Sequence, residues 1–342
     1  RSTAENVPQA LSGYRPKTAV TASAGGQYSD TRSRNAPGQP IQALDGSNAP
    51  RSVGGTITQT LYNGNQTANR TRAAESQVSA AREGLRVLEQ SVLLAASTIY
   101  MDYLRDSAIV EVQRSEQTLK QTQDRFNVGE VTRTDVAQSE AQLAAGRTQL
   151  LTAESNLTTT RANYRRIIGN DPVSLAPGSP VDRFLPATLA TSINTGLIEN
   201  PNVTAAMYGI DVSYLQVKIN EGALFPTVTL QGSVQQAWDS TLQLPRSFNA
   251  SATAQVVVPI YQGGAEYALI RQSKESLAQQ RLNLDLVRDQ TRATIAQAWG
   301  QLIAGRSQVA SAQAQVTASE IALNGVREEA RVGQRTTLDV LN

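Results

Sequence analysis

Apolar and polar residues alternate with a period of two in three stretches of the chain, and this alternation predicts β-strands. The stretches run from Val53 to Tyr62, from Thr227 to Trp238 and from Ala252 to Ile260. A fourth stretch, from Thr18 to Asp30, is made of small and polar residues and predicts a weaker strand. In the predicted strands one face is mainly aliphatic, while the other carries Thr, Ser and Gln.

A seven-residue spacing of apolar positions predicts long helices between and after these strands. The first helix is expected from about Asn65 to Asn127, roughly 95 Å at 1.5 Å per residue. A second is expected to end near Gly169, and a third to run from about Ala265 to Arg331. In the third helix the apolar positions Leu284 and Ile295 are separated by one seven-residue step plus four extra residues. Such a four-residue insertion is a stutter, which locally unwinds a supercoil. The apolar positions are Val78, Ala81, Leu85, Leu88, Val92, Ala95 and Ile99 in the first helix, Val136, Leu143, Leu150, Leu157 and Tyr164 in the second, and Leu277, Leu284, Ile295, Leu302, Val309, Val316 and Leu323 in the third.

Pro and Gly mark the segments between these elements. Residues 31–51 are rich in Pro, Gly, Asn and Ser and predict a long loop, and a second loop is expected around Pro245. Asn200-Pro201 predicts the start of a shorter helix that ends around Gly222, because Pro suits the first helical position.

One nine-residue turn sequence occurs twice. Val128 to Val136 reads V-G-E-V-T-R-T-D-V, and Val332 to Val340 reads V-G-Q-R-T-T-L-D-V. In both copies a helical pattern ends at Gly, which tolerates the left-handed conformation after a helix. The Thr-x-x-Asp that follows resembles a capping box at the start of the next helix. Any helical hairpin could carry such a turn, but two copies in matching contexts favour a shared function.

The two halves of the chain repeat the same order of elements. Leu61-Tyr62-Asn63-Gly64-Asn65 recurs 199 positions later as Ile260-Tyr261-Gln262-Gly263-Gly264. A period of that length indicates a tandem duplication rather than a solenoid. Five regions are predicted: a β-hairpin over 14–62, a long helix with a turn and a return helix over 63–168, a Pro-rich connector with short helices over 169–222, a second β-hairpin over 223–262, and a second long helix with its turn over 263–342.

Composition excludes several classes of function. The 342 residues carry a net charge of +2 without a basic block, so nucleic acid is not an expected partner. The chain has neither Cys nor His, which excludes thiol nucleophiles, disulfides, Cys/His zinc sites and His general bases. We expect no catalytic residue, no metal and no cofactor.

The predicted strands allow two interpretations, a soluble sandwich with one wet face or a membrane barrel whose apolar face meets lipid. Strands of about 11 residues are long enough to cross a bilayer at a tilt. Four strands cannot close a barrel, because the smallest have about eight, and open edges are not tolerated in lipid. The chain is therefore expected to insert only as an oligomer. No signal peptide is visible at Arg1, and both ends are expected to be cut from a longer protein.

Three motifs occur in a characteristic order along the chain. They are Arg125-Phe126-Asn127-Val128-Gly129 with Thr134-Asp135-Val136, then Pro259-Ile260-Tyr261-Gln262-Gly263-Gly264, then Val332 to Leu341. From about residue 14 to the end, the chain resembles the TolC family of outer-membrane export channels. The resemblance implies a mixed α and β fold in which four strands per protomer contribute to a trimeric 12-stranded transmembrane β-barrel, continuous with a long α-helical periplasmic barrel. Relative to that family, most of the first helix and nearly all of the last are absent.

The resemblance also implies location and partners. The expected protein is a homotrimer in outer-membrane lipid that extends into the periplasm. It would work with a periplasmic adaptor protein and an inner-membrane transporter of the RND, ABC or MFS type. Its function would be that of a passive exit duct for multidrug efflux, type I protein secretion or both, gated at the periplasmic tip of the helices.

The same resemblance assigns roles to the two turns. Adaptor docking would involve Val128, Gly129, Val332 and Gly333. The gate would involve Arg335, which would pair toward Thr134 and Asp135 of a neighbouring hairpin. Asp339 would project into the constriction, where three copies form a ring of negative charge that favours cations. Helix capping is the simpler explanation for both Asp residues, and a solvated charge is the simpler one for Arg335.

Two other classes of function fit the sequence less well. A structural coiled-coil scaffold of the cell envelope without a conducting pore would explain the seven-residue repeats, but not four amphipathic strands at repeated positions. An enzyme is not expected, because no catalytic group lies in a recognisable strand–turn–helix setting.

Overall fold

Six β-strands occur in the described part of the computed structural model, which covers residues 1–33, 42–113, 133–178 and 184–334. They are β1 (Lys17–Ala24), β2 (Gln27–Ser33), β3 (Gln42–Asn48), β4 (Arg51–Asn63), β5 (Thr227–Thr241) and β6 (Leu244–Val257). The main sheet is antiparallel with the strand order β1-β4-β5-β6. Leu61 is skipped in the β4–β5 ladder between Thr60 and Tyr62, so it forms a β-bulge.

The prediction of one strand from Thr18 to Asp30 and a loop over 31–51 is wrong in part. The chain leaves the main sheet at Gly25-Gly26, and β2 then pairs with β3 in a separate two-stranded sheet. β3 contains a single large apolar residue, Leu44, so its sequence gives no period-two signal. This hairpin forms through backbone pairing, which side-chain patterning does not report.

The predicted loop around Pro245 is also shorter than expected. β6 already begins at Leu244, and Pro245 is its second residue. Because β6 is an edge strand, a residue without an N–H can be accommodated there. The four strands of the main sheet have 8, 13, 15 and 14 residues, against the expected length of about 11.

The described helices are α1 (Asn6–Leu11), α2 (Gln66–Val112), α3 (Arg133–Ile168), α4 (Leu189–Glu199), α5 (Pro201–Gly222) and α6 (Ala265–Arg331). Four predicted boundaries are confirmed. α5 begins at Pro201 with Asn200 as its N-cap, α3 ends at Ile168 before Gly169 with φ +94°, and α6 has the predicted bounds. Residues 114–127 of the predicted first helix lie outside the described residues.

The chain divides into two units. The first, residues 1–84 and 198–289, contains both sheets, α5 and the adjoining parts of α2 and α6. Its helical core includes Val203 of α5, which is 1% exposed, with Val217 of the same helix. On α6, Ile270, Leu277 and Leu284 are buried at the predicted seven-residue spacing.

The second unit, residues 85–197 and 290–342, contains α3, most of α4 and the remaining parts of α2 and α6, with no strand among its described residues. Tyr103 and Tyr164 join α2 to α3, with ring centroids 5.9 Å apart and an interplanar angle of 52°. Ile99 and Ala153 are buried as well. Gly196 of α4 lies against the side chain of Ile295 and leaves no room there for a Cβ.

Several predicted apolar positions remain exposed. Leu85, Leu88 and Val92 of α2 are each more than half exposed, and so are Val309 and Val316 of α6. The seven-residue pattern of these stretches is therefore not satisfied by packing within the described chain.

Candidate functional site

The main sheet has two chemically different faces. Residues directly opposite each other in antiparallel strands share a face. One row across the four strands is Val20, Gly55, Val234 and Ala250, and the adjacent row is Ala19, Thr56, Ser233 and Ser251. The predicted alternation is thus realised across the sheet.

The apolar face is exposed to the surroundings of the protomer. Val20 is 82% exposed and Phe248 64%, and six further large apolar residues of this face are between 37% and 60% exposed. A protein in water would normally cover an apolar surface of this kind. The exposed apolar side chains of this face are Val20, Val53, Ile57, Leu230, Val234, Trp238, Phe248 and Val256.

The polar face is held by hydroxyl contacts across the strands. The Ser23 and Ser52 hydroxyls are 2.8 Å apart, and so are those of Ser233 and Ser251. In both pairs the residues are direct cross-strand neighbours. Such pairs satisfy one another without an apolar partner, so this face suits water.

A polar cluster lies at the end of the main sheet where β4 begins. Arg51 donates to the Asp239 carboxylate at 2.9 Å, and Asn48 Nδ2 donates to the Asp239 carbonyl oxygen at 2.6 Å. Trp238 lies opposite Arg51 in the ladder. An aromatic ring beside charged groups at a strand end is typical of a membrane–water interface.

The second predicted turn is described as far as Gln334. Gly333 has φ +78°, its N–H donates to the Ala330 carbonyl at 3.2 Å, and the Gln334 N–H donates to the Glu329 carbonyl at 2.9 Å. These two bonds form a Schellman motif, the helix ending that favours Gly. Val332, which precedes it, is 71% exposed.

The other predicted turn residues are described less fully. Val128, Gly129, Arg335 and Asp339 lie outside the described residues. Thr134 and Asp135 lie in the first turn of α3, and Thr134 is exposed. The structure therefore describes both turn sequences only in part, and the predicted contact of Arg335 with Thr134 and Asp135 lies outside the described residues.

Sequence reasoning missed a buried carboxylate between α2 and α3. The Asp106 side chain is 7% exposed; it accepts from Arg105 at 2.8 Å and from the Thr160 hydroxyl at 2.6 Å. The ion pair raises the pKa of Arg105, chiefly through its hydrogen bond to Asp106. Asp106 stands seven residues after Ile99 and seven before Gln113. A charged residue in the seven-residue series was the signal that could have revealed it.

A second charged cluster lies where α5 faces α6 in the first unit. Lys218 donates to the Glu221 carboxylate at 2.9 Å, and Lys274 Nζ lies 3.6 Å from its other oxygen. The hydrogen bond from Lys218 is the main cause of a lowered Glu221 pKa, and it raises the pKa of Lys218.

Among the described residues no group of three or more Asp or Glu side chains is arranged to hold a metal ion. No described helix has a stretch that is both long and apolar enough to cross a membrane.

Comparison with known proteins identifies the family. Residues 1–170 and 193–342 match the family described as outer membrane efflux protein. The chain belongs to the outer membrane efflux protein family. The outer membrane efflux protein BepC of Brucella suis biovar 1 (strain 1330) is 38% identical over 99% of this chain and 72% of its own length.

A second relative and a solved structure are also similar to this outer membrane efflux protein. The alkaline protease secretion protein AprF of Pseudomonas aeruginosa is 23% identical over 80% of this chain and 60% of its own length. The fold matches the crystal structure of the Campylobacter jejuni CmeC outer membrane channel with a TM-score of 0.73 and 17% identity, covering 99% of this chain and 74% of that one. The predicted TolC-like mixed fold and the outer-membrane location are confirmed at the level of the family.

Proposed function

We propose that this protein is the outer-membrane exit duct of a tripartite export system. Three copies would complete a 12-stranded barrel in outer-membrane lipid, and their long helices would form a tunnel in the periplasm. A periplasmic adaptor and an inner-membrane transporter of the RND, ABC or MFS type would complete the assembly. The duct itself is passive, carries no cofactor and is not an enzyme.

The two-faced sheet is the observation that carries this proposal. Its apolar side chains are exposed on one face, and hydroxyl groups pair on the other. Outer-membrane barrels place apolar side chains toward lipid and polar ones toward the lumen. The ends of β4 and β6 lead, within a few residues, into α2 and α6, so pore and helical tunnel would be continuous.

The substrate could be a small compound, an exported protein, or both. The relatives' names cover both classes, since one is an efflux protein and another a protease secretion protein. We propose that the choice lies with the transporter, because the polar face of the sheet offers only generic hydroxyl and amide groups.

Conductance of the purified protein in a planar lipid bilayer tests the duct. We expect discrete ion-conducting steps from detergent-extracted protein whose mass corresponds to three copies. A protein that assembles but never conducts would support the coiled-coil scaffold instead.

For the periplasmic tip, we propose that Val128, Gly129, Val332 and Gly333 form the adaptor-docking turns. The exposed Val332 and the Schellman ending at Gly333 support this role, because they present a rigid apolar knob beside a tight turn. The gate would consist of Thr134, Asp135, Arg335 and Asp339.

Removal of the Arg335 charge tests the gate. We expect Arg335→Ser to raise single-channel conductance, because a charge that holds neighbouring hairpins together is lost. Arg331→Ser is a matched control, since Arg331 is exposed and pairs with Glu328 of its own helix at 3.0 Å. Unchanged conductance in Arg335→Ser, or an equal rise in the control, would remove Arg335 from the gate.

A further inference from the structure

The two outer strand pairs of the main sheet have the same register. All eight β1–β4 pairs become β5–β6 pairs when 210 is added to each β1 residue number and 199 to each β4 residue number. For example, Val20 opposite Gly55 becomes Leu230 opposite Ala254. The duplication seen in the sequence is therefore also a duplication of strand pairing.

Side-chain contacts obey the same shifts. The hydrogen-bonded pair Ser23 and Ser52 becomes Ser233 and Ser251, which is the other serine pair with hydroxyls 2.8 Å apart. Each half of the sheet is thus a copy of the other in both backbone register and polar-face contacts.

The turns that follow β4 and β6 are also equivalent. Gly64 has φ +62° and its counterpart Gly263 has φ +68°; the next residues, Asn65 and Gly264, have φ +62° and +84°. Two consecutive left-handed residues at both positions give the chain the same exit toward α2 and α6.

The centre of the sheet contains a strand pair, β4 with β5, that has no counterpart among the described strands of the chain. β4 and β5 pair at this joint. When 199 is added to the β4 residue numbers and 210 is subtracted from the β5 residue numbers, β4 corresponds to β6 and β5 corresponds to β1. Those two strands are the edges of the sheet, and neither pairs outward with another described strand. All eight residues of β1 are exposed, as are all residues of β6 apart from the half-buried Ser247. Long unpaired edges are templates for pairing with another chain.

We infer that β6 of one copy, together with the five residues that follow it, pairs with β1 of the next copy in the register that the β4–β5 joint dictates. This inference rests on the proposed oligomer and adds its residue-level contact. Gln59 opposite Leu230 becomes Val258 of one copy opposite Val20 of the next. The full series for β1, each pair with the residue of the second copy last, is Ala254 with Ala24, Gln255 with Ser23, Val256 with Ala22, Val257 with Thr21, Val258 with Val20, Pro259 with Ala19, Tyr261 with Thr18, and Gln262 with Lys17.

This register keeps the faces of the sheet continuous. Val256 and Val20 both belong to the apolar face, and the register carries that face across the joint through Val258. A slip of one residue would place apolar side chains opposite polar ones, because the side-chain period of a strand is two. The bulge at Leu61 would have its counterpart at Ile260.

Residues at the β4–β5 joint are less exposed than their counterparts after β6. This difference is expected if the counterparts lack a neighbouring strand. Tyr62 is 40% exposed, whereas its counterpart Tyr261 is 85% exposed. Leu61 is 60% exposed, whereas Ile260 is 95% exposed; β4 continues to Asn63, whereas β6 ends at Val257. The excess exposure lies on the residues that the next copy would cover.

The glycine turn shows the same difference. Gly64 is packed against the Gly222 carbonyl, whereas no atom lies within 4 Å of a Cβ placed on Gly263. With the same shift, the segment that would fill this space is the short turn Ser12–Tyr14 of the next copy. Such a head-to-tail contact uses different surfaces on the two copies, so a ring forms when the rotation closes.

Interchain disulfide formation tests the register, because these 342 residues contain no Cys that would interfere. In the double variant Val20→Cys/Val258→Cys the two sulfurs lie on directly opposite residues. Their Cα atoms should be about 4.5–5.5 Å apart, within the range that a disulfide spans. We expect oxidation to convert most of the detergent-purified protein into covalent dimers and trimers on a non-reducing denaturing gel.

Three comparisons make the result specific. Val20→Cys/Val256→Cys places the second sulfur two residues out of register on the same face. Such diagonal neighbours are about 7–8 Å apart, so we expect much less covalent trimer. A mixture of the two single variants, Val20→Cys and Val258→Cys, should stop at covalent dimers, because each copy then offers one thiol. Ala22→Cys/Val256→Cys tests the neighbouring pair and replaces the first double variant if that one does not fold.

The outcomes separate this inference from the proposed function. A protein with the mass of three copies that conducts ions but forms no disulfide at either matched pair would overturn the register while leaving the duct intact. An equal yield from the out-of-register variant, or a disulfide within a single copy, would also overturn it. A protein that remains monomeric would overturn both proposals.

Discussion

Gly64 and Gly222 face each other so closely that neither position has room for a Cβ. A Cβ on Gly222 would lie 2.6 Å from the Gly64 carbonyl oxygen and 2.7 Å from Gln66 Cγ. Gly64 also needs φ +62°, a conformation that other residues rarely adopt. This contact fixes the end of α5 against the turn from β4 into α2.

Gly222→Ala should therefore destabilise the first unit by about 1–3 kcal/mol, the usual cost of inserting a methyl group into a filled site. Urea unfolding of the purified protein, followed by circular dichroism, measures the change. Gly84→Ala is the control, because Gly84 is helical and a Cβ there meets no atom within 4 Å; Ala should stabilise that site by up to about 1 kcal/mol. Equal changes in unfolding free energy at the two sites would mean that the Gly64–Gly222 contact does not limit the size of the residue at position 222.

Thr160→Val tests the buried carboxylate between α2 and α3. The variant keeps the shape of the side chain but removes the hydroxyl that donates to Asp106 at 2.6 Å. We expect a loss of about 1.5–3 kcal/mol in unfolding free energy, since hydrogen bonds to charged groups contribute that much. Thr159→Val is the matched control, because the exposed Thr159 hydroxyl bonds only to its own helix. A loss in Thr160→Val no larger than in the control would contradict the assigned role.

The lowered pKa of Glu221 predicts a pH-dependent contribution to stability. Lys218 and Lys274 favour the charged carboxylate, so its contribution is present above its unfolded pKa near 4.5 and is lost as pH falls through the lowered folded pKa. Glu221→Gln should cost up to about 1 kcal/mol at neutral pH, and the difference from the parent should disappear in acid. Urea midpoints between pH 7 and pH 3 measure this.

Glu328→Gln provides the comparison for that series, because its partner Arg331 is 75% exposed and the pair is screened by water. We expect a smaller effect at neutral pH in that variant. A difference between Glu221→Gln and the parent that persists unchanged at pH 3 would show that the charge is not its source.

Asp339→Ala tests the proposed ring of charge at the constriction. Three carboxylates close together attract multivalent cations, so the parent channel should be blocked by them in a bilayer recording. We expect weaker block in the variant, with the blocking concentration rising severalfold. Equal block of parent and variant would place Asp339 outside the constriction.

Helix ends were predictable where the sequence carries both a period and a stop signal. α6 runs from Ala265 to Arg331 as expected, because a long seven-residue series is bounded by Gly264 on one side and Gly333 on the other. α5 was equally well marked by Asn200-Pro201. In such cases the local backbone preferences agree with the packing.

The β2–β3 hairpin could not be predicted for the opposite reason. Its strands are polar, with Asp30 opposite Asp45 and Ser29 opposite Gly46, so neither face has an apolar signal. The contact between Asp106 and Thr160 could not be predicted for a different reason. Thr160 lies 54 residues away along the chain, and the choice among polar residues of a facing helix depends on the axial offset of the two helices, which periodicity does not set.

The stutter in α6 has a consequence for changes in the length of this helix. Buried positions keep a seven-residue spacing from Ile270 to Thr291, and the half-buried Ile295 follows four residues later. An insertion of one residue would turn everything beyond it by about 100° around the helix axis. Three residues inserted after Thr291 would instead merge the two series into one, so tolerance of insertions here should depend on their number far more than on their composition.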